Sequence, residues 1–339
     1  MRQYHVYAVG NALLDRNVIV DDTFLTALKI NKGVMTLTDD KAHHRLTEAL
    51  ETSQFLFCYT GCGGSAANSI VALSQLGGRG FFSCQVANDV SGRLFLAELK
   101  QLGIHCNLDE ESLPRGITGQ CLVLVTEDAQ RTMHTHLGIS ETLSVAALNF
   151  DAIANSEYLY LEGYLVTSPT ARQALMLAKT FATTAQTKVA LTLSDPNIVR
   201  YFKRELLSLM EGGIELLFCN EEEALLFTET TEINDAIAAL RVLTEQAIIT
   251  RGPKGAIYVS QNEILTVPVQ PLYAIDTVGA GDMFAGVYLY AITNGYAPKD
   301  SIHFANESAA AVVCQYGPRL QAHELQRIKK NLACSMDAC

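Results

Sequence analysis

The sequence predicts an α/β protein in which a mainly parallel β-sheet is covered by helices on both faces. Short apolar runs typical of buried strands alternate along the chain with longer stretches of helical periodicity. Such alternation joins parallel strands through crossover helices. Two stretches, 17–37 and 116–137, depart from this pattern because they combine short strand-like runs with turn-forming residues. We expect one large domain over residues 1–330, with these two stretches folded into a small β lid.

The predicted elements follow one another in a regular order. The clearest strands are predicted at 6–9, 80–85, 158–161, 189–193, 216–219 and 247–250. The clearest helices are predicted at 65–76, 92–102, 168–183, 233–243, 280–294 and 301–316. Helices on both sides of one sheet give a three-layer α/β/α architecture. The last residues, 331–339, are expected to form a loose tail.

Composition narrows the class of protein further. The chain has 339 residues, of which 49% are hydrophobic, so it can bury a substantial core. No window approaches about 20 uninterrupted apolar residues, and the first residues lack the apolar segment of a secretory signal. The nine cysteines have no spacing typical of a zinc site. We therefore expect a soluble cytoplasmic protein whose thiols are free and mostly buried.

The charge balance argues against a nucleic-acid partner. The formal net charge is −11, and basic residues cluster only at 327–330, where a solvated helix face is the simpler interpretation. Binding to DNA or RNA usually requires a basic patch that neutralises phosphates. A small phosphorylated ligand is still compatible with an acidic chain, because backbone N–H groups and helix N-termini can hold phosphates.

The clearest chemical signal is a glycine-rich segment, DTVGAGDMF at 276–284, that leads directly into a predicted helix. Gly279 and Gly281 let the backbone approach an anion, and the free N–H groups of the first helical turn point at it. We predict that Gly279, Ala280 and Gly281 form an anion hole. Asp282 would then accept the proton of a hydroxyl that attacks a phosphoryl group. In isolation, the same aspartate would more often be a helix cap.

This segment resembles the DTxGAGD signature of the ribokinase (PfkB) family, and other family motifs occur in the family's order. Residues 61–68, GCGGSAAN, resemble the GGxxxN segment, and residues 220–223, NEEE, resemble the NxxE motif. Residues 250–255 resemble the TxGxxG loop, and residues 304–311 resemble the late helix. The resemblance covers nearly the whole chain. It implies a ribokinase-like, Rossmann-like fold and an ATP-dependent kinase.

The resemblance also assigns residues to the nucleotide. Those implied to lie along ATP are Asn220, Thr250, Gly252, Gly255 and Asn306, the last of them near the adenine. Glu223 is implied to organise Mg²⁺ and its waters, and K⁺ is a possible activator near Asp276. Taken singly, the acidic run 221–223 is also typical of a first helical turn, and the TxGxxG-like loop of an ordinary turn.

A second group of residues is assigned to the acceptor. These residues are Asn11, Asp15, Gly63, Gly64, Asn68 and Arg131. Asp15 lies just beyond the first predicted strand, where ligands gather in open α/β sheets, and the resemblance gives it two acceptor hydroxyls. Without the resemblance, an aspartate after a strand is more often a turn residue, and a lone lid arginine is more often a surface charge.

Within the family, the chain is most similar to the adenosine kinase branch. Segments 10–15, 20–25 and 163–169 carry this similarity and favour a nucleoside acceptor, whereas 65–67 and 316–319 depart from the branch. A free sugar such as ribose, fructose or ketodeoxygluconate stays open as the alternative. A non-catalytic nucleotide-binding regulator is less favoured. An oxidoreductase and a Walker A kinase are disfavoured, because GxGxxG does not follow the first strand and GxxxxGK[ST] is absent from the sequence.

The histidines do not predict a metal centre. His134 and His136 alternate on a lid strand without a third ligand nearby, and His43 and His44 are expected to be exposed on a helix. Asp195 is expected either to have a structural role or to lie at the rim of the site. The expected partners are ATP and a small acceptor, with no nucleic acid and no membrane, and the chain is expected to be a monomer or a homodimer.

Overall fold

The computed structural model describes residues 2–270 and 272–337, and it describes side chains as far as Leu332 at the C-terminal end. The strands in this part of the chain are β1 (Tyr4–Val9), β2 (Leu13–Ile19), β3 (Met35–Leu37), β4 (Phe57–Gly63), β5 (Gly80–Ser83), β6 (Gly119–Val125), β7 (Arg131–His136), β8 (Ser156–Glu162), β9 (Lys188–Thr192), β10 (Leu216–Asn220), β11 (Gln246–Thr250), β12 (Ala256–Ser260) and β13 (Ile264–Val267). The α-helices are α1 (Asp22–Ala27), α2 (Asp40–Thr52), α3 (Ser65–Gln75), α4 (Val90–Gln101), α5 (Phe150–Ala154), α6 (Pro169–Thr184), α7 (Pro196–Met210), α8 (Glu221–Thr228), α9 (Ile233–Leu243), α10 (Ala280–Thr293), α11 (Pro298–Val312) and α12 (Ala322–Asp337).

The large sheet has eight strands in the order β13-β12-β11-β10-β9-β8-β1-β5. The neighbouring strands β5, β1, β8, β9, β10 and β11 pair in parallel in that spatial order. Strands β12 and β13 add an antiparallel edge. One face packs against α3, α4, α10, α11 and α12, and the other against α5 to α9. Because both faces are buried, the strands contain continuous apolar runs. The structure thus confirms the predicted three-layer α/β/α fold.

The small sheet has five strands in the order β3-β7-β6-β2-β4 and forms the lid. Leu122 and Leu124 of β6 pack on one face with residues of α1 and α2. Cys121 and Val123, the alternate residues of the same strand, face the opposite way and pack near Val278. This alternation is expected of a sheet with helices on one face only. The face that carries Cys121 and Val123 is turned toward the large sheet.

The lid is larger than the sequence predicted. The stretch 116–137 contains the expected hairpin of β6 and β7. The stretch 17–37 differs, because β2 begins earlier, at Leu13, and 22–27 is helical. Strand β4 also belongs to the lid and was not predicted. Helix α2, on which His43 and His44 were expected, packs on the lid sheet and was not assigned to the lid. Asp15, Arg16 and Asn17 interrupt the apolar pattern of β2, which explains why the start of this strand was predicted too late.

Two smaller expectations were wrong. His43 is buried rather than exposed, and its ring centroid lies 5.9 Å from that of His136, because this side of α2 faces the lid sheet. His44 is exposed and lies 3.2 Å from Glu48. The tail expected from residue 331 is instead helical as far as Asp337, and residues 338 and 339 lie outside the described residues.

The described residues can also be searched for disulfides, metal-binding clusters and membrane-spanning helices. The cysteines with described side chains are all free, and Cys334 and Cys339 fall outside that set. Of these thiols, Cys62, Cys84, Cys121 and Cys219 are buried. In the same part of the chain, no cluster of three or more His, Cys, Asp or Glu side chains could hold a metal ion. No helix among residues 2–270 and 272–337 has the length and apolar character of a membrane span.

Candidate active site

A cavity of about 390 Å³ lies between the lid and the carboxyl ends of the parallel strands. Several residues reach it from these strand ends, which is where ligands bind in open α/β sheets. They are Asn11 after β1, Glu162 on β8, Thr192 on β9, Asn220 on β10 and Thr250 on β11. The glycine-rich segment before α10 closes one end of the cavity, and the lid closes the other.

The glycine-rich segment has the form expected of an anion hole. Gly279 precedes α10 with a φ of +74°, and a Cβ there would lie 2.4 Å from Pro318 Cβ, so only glycine fits. A Cβ on Gly281 would meet open space. No side chain caps α10, and Gly279, Ala280 and Gly281 all line the cavity. The first N–H groups of the helix are therefore available to an anion.

Asp282 does not act as a helix cap. It lies in the first turn of α10, and its carboxylate accepts hydrogen bonds from Ser65 Oγ at 2.7 Å and Asn68 Nδ2 at 2.9 Å. Both donors belong to α3, and Ser69 Oγ of the same helix donates to the Asp282 carbonyl at 3.0 Å. Burial raises the pKa of Asp282, and the hydrogen bonds from Asn68 and Ser65 oppose this rise. The carboxylate thus has a fixed orientation beside the anion hole.

Arg319 belongs to the same hydrogen-bond network and was not predicted. Its Nε donates to Asn68 Oδ1 at 2.8 Å, and its Nη1 lies 2.6 Å from Glu98 Oε2. The side chain is only 8% exposed. It lies in the segment 316–319, and nothing in the sequence indicated that it would reach α3.

Asp15 lies on the lid side of the cavity, within β2 rather than in the expected loop. A Cβ on Gly63 would lie 1.9 Å from Asp15 Oδ2, so glycine is required behind this carboxylate. Among the described residues, no group donates a hydrogen bond to the Asp15 side chain. Burial raises its pKa to about 7, and the charge of Arg319 opposes this rise. Asp15 is therefore a buried carboxyl group with free acceptor positions.

Glu162 is a second buried carboxyl group that the sequence analysis missed. It accepts hydrogen bonds from Asn11 Nδ2 at 2.7 Å and from Ala66 N at 2.9 Å. Burial raises its pKa to about 7. Gly64 precedes α3 with a φ of +105°, and a Cβ there would lie 2.2 Å from Asn11 O. Glu162 thus joins Asn11 to the start of α3, and its place at the end of a parallel strand was the available signal.

On the opposite side of the cavity, Glu223 and Asn220 form a capping box at the start of α8. Asn220 Nδ2 donates to Glu223 Oε1 at 2.7 Å, and the backbone N of Asn220 donates to Oε2 at 3.0 Å. Burial raises the pKa of Glu223 to about 7. Both carboxylate oxygens of Glu223 already accept one hydrogen bond, and each keeps a lone pair that could accept another from a water coordinated to a metal ion.

The remaining predicted residues are only partly brought together. Arg131 lines the cavity, and its Nη1 donates to Thr277 O at 3.1 Å, which joins the lid to the anion-hole segment. Thr250 and Gly252 also line the cavity. Gly255 and Asn306 do not, and the Asn306 side chain is buried in α11, where it donates to Val267 O at 3.0 Å. Gly63 lies behind Asp15, as described above.

The lid wall of the cavity is mostly apolar. The apolar side chains on it are Leu13, Met35, Leu37, Val123, Met133 and Leu137. Thr135 is polar, but its hydroxyl is already directed to Cys121 Sγ at 3.4 Å. Met35 pairs across the sheet with Met133, and Val123 pairs with Met133 on the other side. These side chains form a continuous apolar surface opposite the strand ends.

Together, the uncapped helix and the buried carboxylate beside it suit the transfer of a phosphoryl group to a hydroxyl. The pfkB family carbohydrate kinase model matches residues 43–325. The chain belongs to this family, so it is a kinase that uses ATP with a divalent metal ion.

Individual relatives agree with this assignment. Adenosine kinase 2 of Arabidopsis thaliana is 26% identical over 305 residues, which cover 83% of this chain and 85% of that protein. The crystal structure of adenosine kinase from Sinorhizobium meliloti has a TM-score of 0.89 at 31% identity and covers 96% of this chain and 99% of that one. A probable sugar kinase from Rhizobium etli has a TM-score of 0.90 at 29% identity, covering 98% and 100%.

Proposed function

We propose that this kinase transfers the γ-phosphoryl group of MgATP to the primary hydroxyl of a nucleoside, with adenosine as the favoured acceptor. The observation that carries the proposal is the position of the Asp282 carboxylate. It is oriented by Ser65 and Asn68 between an uncapped helix end and a cavity whose other wall is apolar. Such a group can accept a proton from a hydroxyl that points at the anion hole.

In the proposed reaction, the acceptor oxygen attacks the γ-phosphorus, a new P–O bond forms, and the bond to the β–γ bridging oxygen breaks to release ADP. Asp282 accepts the hydroxyl proton. The backbone N–H groups at 279–281 and the positive charge of Arg131 stabilise the charge that develops on the transferred group. Glu223 would help to hold Mg²⁺ through a coordinated water, and the ion would neutralise charge on the phosphates.

Asp15 is proposed to hold the acceptor. It is buried, its carboxylate lines the cavity, and no described group donates a hydrogen bond to it. A vicinal diol, such as the 2′ and 3′ hydroxyls of a ribose, can donate to both carboxylate oxygens. Asn11 and Gly64 line the cavity close by and complete the polar part of this subsite.

The apolar lid wall favours a nucleoside over a free sugar. A purine base buries its faces against Leu13, Val123 and Met133, whereas a bare ribose leaves this surface in contact with water. Adenosine kinases among the relatives support the same choice. A free-sugar kinase is the second candidate, because a ribokinase from Staphylococcus aureus is 24% identical over 277 residues.

An acceptor panel tests the proposal. ADP release with MgATP is measured for adenosine, guanosine, inosine, cytidine, ribose, fructose, fructose phosphates and ketodeoxygluconate, and the mass of each product is determined. We expect preferential turnover of adenosine to its 5′-monophosphate. Preferential turnover of a free sugar would favour the free-sugar kinase over the nucleoside kinase. ATP binding without turnover of any acceptor would favour a non-catalytic nucleotide-binding regulator.

The same assay addresses the monovalent cation. The Asp276 carboxylate accepts hydrogen bonds from Asn17 Nδ2 at 2.8 Å, Val278 N at 2.9 Å and Gly317 N at 3.0 Å. These contacts already hold the anion-hole segment, so we expect replacement of K⁺ by tetramethylammonium to change kcat by less than about tenfold. A tenfold change corresponds to about the free energy of one hydrogen bond. A larger loss would make K⁺ a required cofactor.

Two further properties belong to the same proposal. We infer a cytoplasmic enzyme, because ATP and free nucleosides are both available there. A monomer or a homodimer is expected, and light scattering during size-exclusion chromatography distinguishes them.

A further inference from the structure

We propose that Arg319 is a positioning residue for phosphoryl transfer and that it acts on Asp282 through Asn68. The proposal rests on the function proposed above for Asp282. Its basis is a continuous chain of contacts from Glu98 through Arg319 and Asn68 to the Asp282 carboxylate.

The chemistry of the groups fixes the direction of each hydrogen bond. A guanidinium group only donates, and an ionised carboxylate only accepts. Asn68 lies between the two, with one atom that accepts and one that donates. Because Arg319 Nε donates to Asn68 Oδ1, the Asn68 amide must present Nδ2 to Asp282. Among the described residues, Arg319 and Asp282 are the two side chains that hydrogen-bond to this amide, and both favour the same orientation.

The surroundings of Arg319 support a role beyond stabilising the fold. It follows Gly317, which donates to Asp276 Oδ2 at 3.0 Å, and Pro318, which packs against Gly279. The segment 317–319 thus contacts both the anion-hole loop and, through Asn68, the proposed base.

Arg319 also places a buried positive charge between two carboxyl groups. Its charge opposes the rise that burial causes in the pKa of Asp282 and of Asp15. Its Nη2 is buried without a hydrogen-bond partner among the described residues, so the guanidinium group keeps a donor that Glu98 and Asn68 do not use. Removing this charge therefore makes Asp282 harder to ionise.

A double-mutant cycle tests the proposed route. Arg319→Met removes the donors and the charge, and Asn68→Leu removes the intermediate amide. We expect each to lower kcat by about tenfold to a hundredfold, as a displaced catalytic group does, with little change in the Kd of ATP. If Arg319 acts through Asn68, the double variant loses no more than about threefold beyond Asn68→Leu when kcat is compared at a pH above the acidic limb of every variant. Multiplied losses would overturn the proposal.

The pH profile provides a readout that a purely structural role would not move. Activity falls at low pH as Asp282 becomes protonated. In Arg319→Met, we expect this acidic limb of kcat to move to higher pH, whereas Arg319→Lys, which retains the charge, keeps it near the wild-type position. An unmoved limb in Arg319→Met would contradict the proposal.

Two controls separate the possible failures. Arg172→Met removes an arginine with a comparable ion pair, 3.1 Å from Glu205 and outside the site, and we expect wild-type kcat. If Arg319→Met does not fold, Arg319→Lys replaces it in the cycle, because one ammonium cannot contact Glu98 and Asn68 as the guanidinium fork does. Full activity of Asp282→Asn would reject the proposed base. An inactive Asp282→Asn with an additive cycle would reject only the role of Arg319.

Discussion

The two ends of the cavity are built in different ways. At the transfer end, Asp282 is held by several hydrogen bonds from α3, and Gly279 is wedged against Pro318. At the acceptor end, the wall is one face of the lid sheet, whose edge strand β3 has only three residues and leaves Leu37 45% exposed. The first arrangement fixes a geometry, and the second provides an adaptable apolar surface. Rate and acceptor choice should therefore respond to different substitutions.

The largest expected effect is at the transfer end. Asp282→Asn preserves the size of the side chain but removes the proton acceptor, so we expect kcat to fall by about 10²- to 10⁴-fold. ATP affinity should stay within about threefold, because the anion hole is made of backbone N–H groups. Single-turnover product formation and calorimetric ATP titration measure the two quantities. Asp235→Asn, an exposed change in the first turn of α9, is the matched control. Wild-type turnover by Asp282→Asn would show that Asp282 is not the proton acceptor.

At the acceptor end, the strongest effect is expected at Asp15. Asp15→Asn exchanges a double acceptor for a group with one acceptor oxygen, so one charged hydrogen bond to the acceptor is lost. We expect the KM of the acceptor to rise by about 10- to 100-fold, with a smaller change in kcat. Steady-state kinetics at saturating ATP measure this. A fall in kcat at unchanged KM would place Asp15 in the transfer step and weaken the contrast between the two ends.

Asp15→Asn is expected to weaken acceptor binding but to increase the stability of the folded chain. Burial raises the pKa of Asp15 to about 7 in the folded chain, above its unfolded value of about 3.9. The folded state then binds more protons than the unfolded state between about pH 4 and pH 7, so the free energy of unfolding falls as the pH rises through this window. Asp15→Asn has no carboxyl group to ionise at this position, so it does not undergo this fall. At pH 8 its free energy of unfolding should exceed that of the wild type by about 1–3 kcal/mol.

Urea unfolding without ligand at pH 4, 6 and 8 measures that difference. The advantage of Asp15→Asn should shrink toward zero at pH 4, where Asp15 is protonated in the folded wild type. Glu162 and Glu223 keep their raised pKa values, so part of the decline with pH should persist in the variant. A difference that does not depend on pH would mean that packing, and not charge burial, separates the two proteins.

The contrast between the two sheets also explains how much the sequence could predict. Strands of the large sheet are buried on both faces, and Val6 and Ala8 pack on one side while Tyr7 and Val9 pack on the other. Their continuous apolar runs are easy to recognise. Lid strands carry charged residues such as Asp15 and Arg16 on a partly exposed sheet, so β2 was predicted too short and β4 was missed.

Site residues divide in a similar way. The glycine-rich segment and Asp282 are contiguous in the sequence and could be predicted, because one helix N-terminus brings them together. The contact between Asn68 and Arg319 joins residues 251 positions apart, and no local pattern carries that information. Glu162 likewise depends on the pairing of β1 with β8, which brings Asn11 to it.

The smallest expected effect, that of Met133→Ala, best tests whether the transfer end and the acceptor end of the cavity act independently. Met133→Ala removes apolar surface from the lid wall, where Met133 lies between Met35 and Val123. Loss of about 1–1.5 kcal/mol of contact with a nucleoside base should raise its KM by about tenfold. The KM of ribose, which has no base, should stay within about twofold, and kcat for either acceptor should be nearly unchanged, because Asp282 is held from the opposite wall. Equal effects on both acceptors would show that the lid closes over the sugar and does not contact the base. A large fall in kcat would show instead that the lid wall also orients the hydroxyl toward Asp282, so that the two ends of the cavity do not act independently.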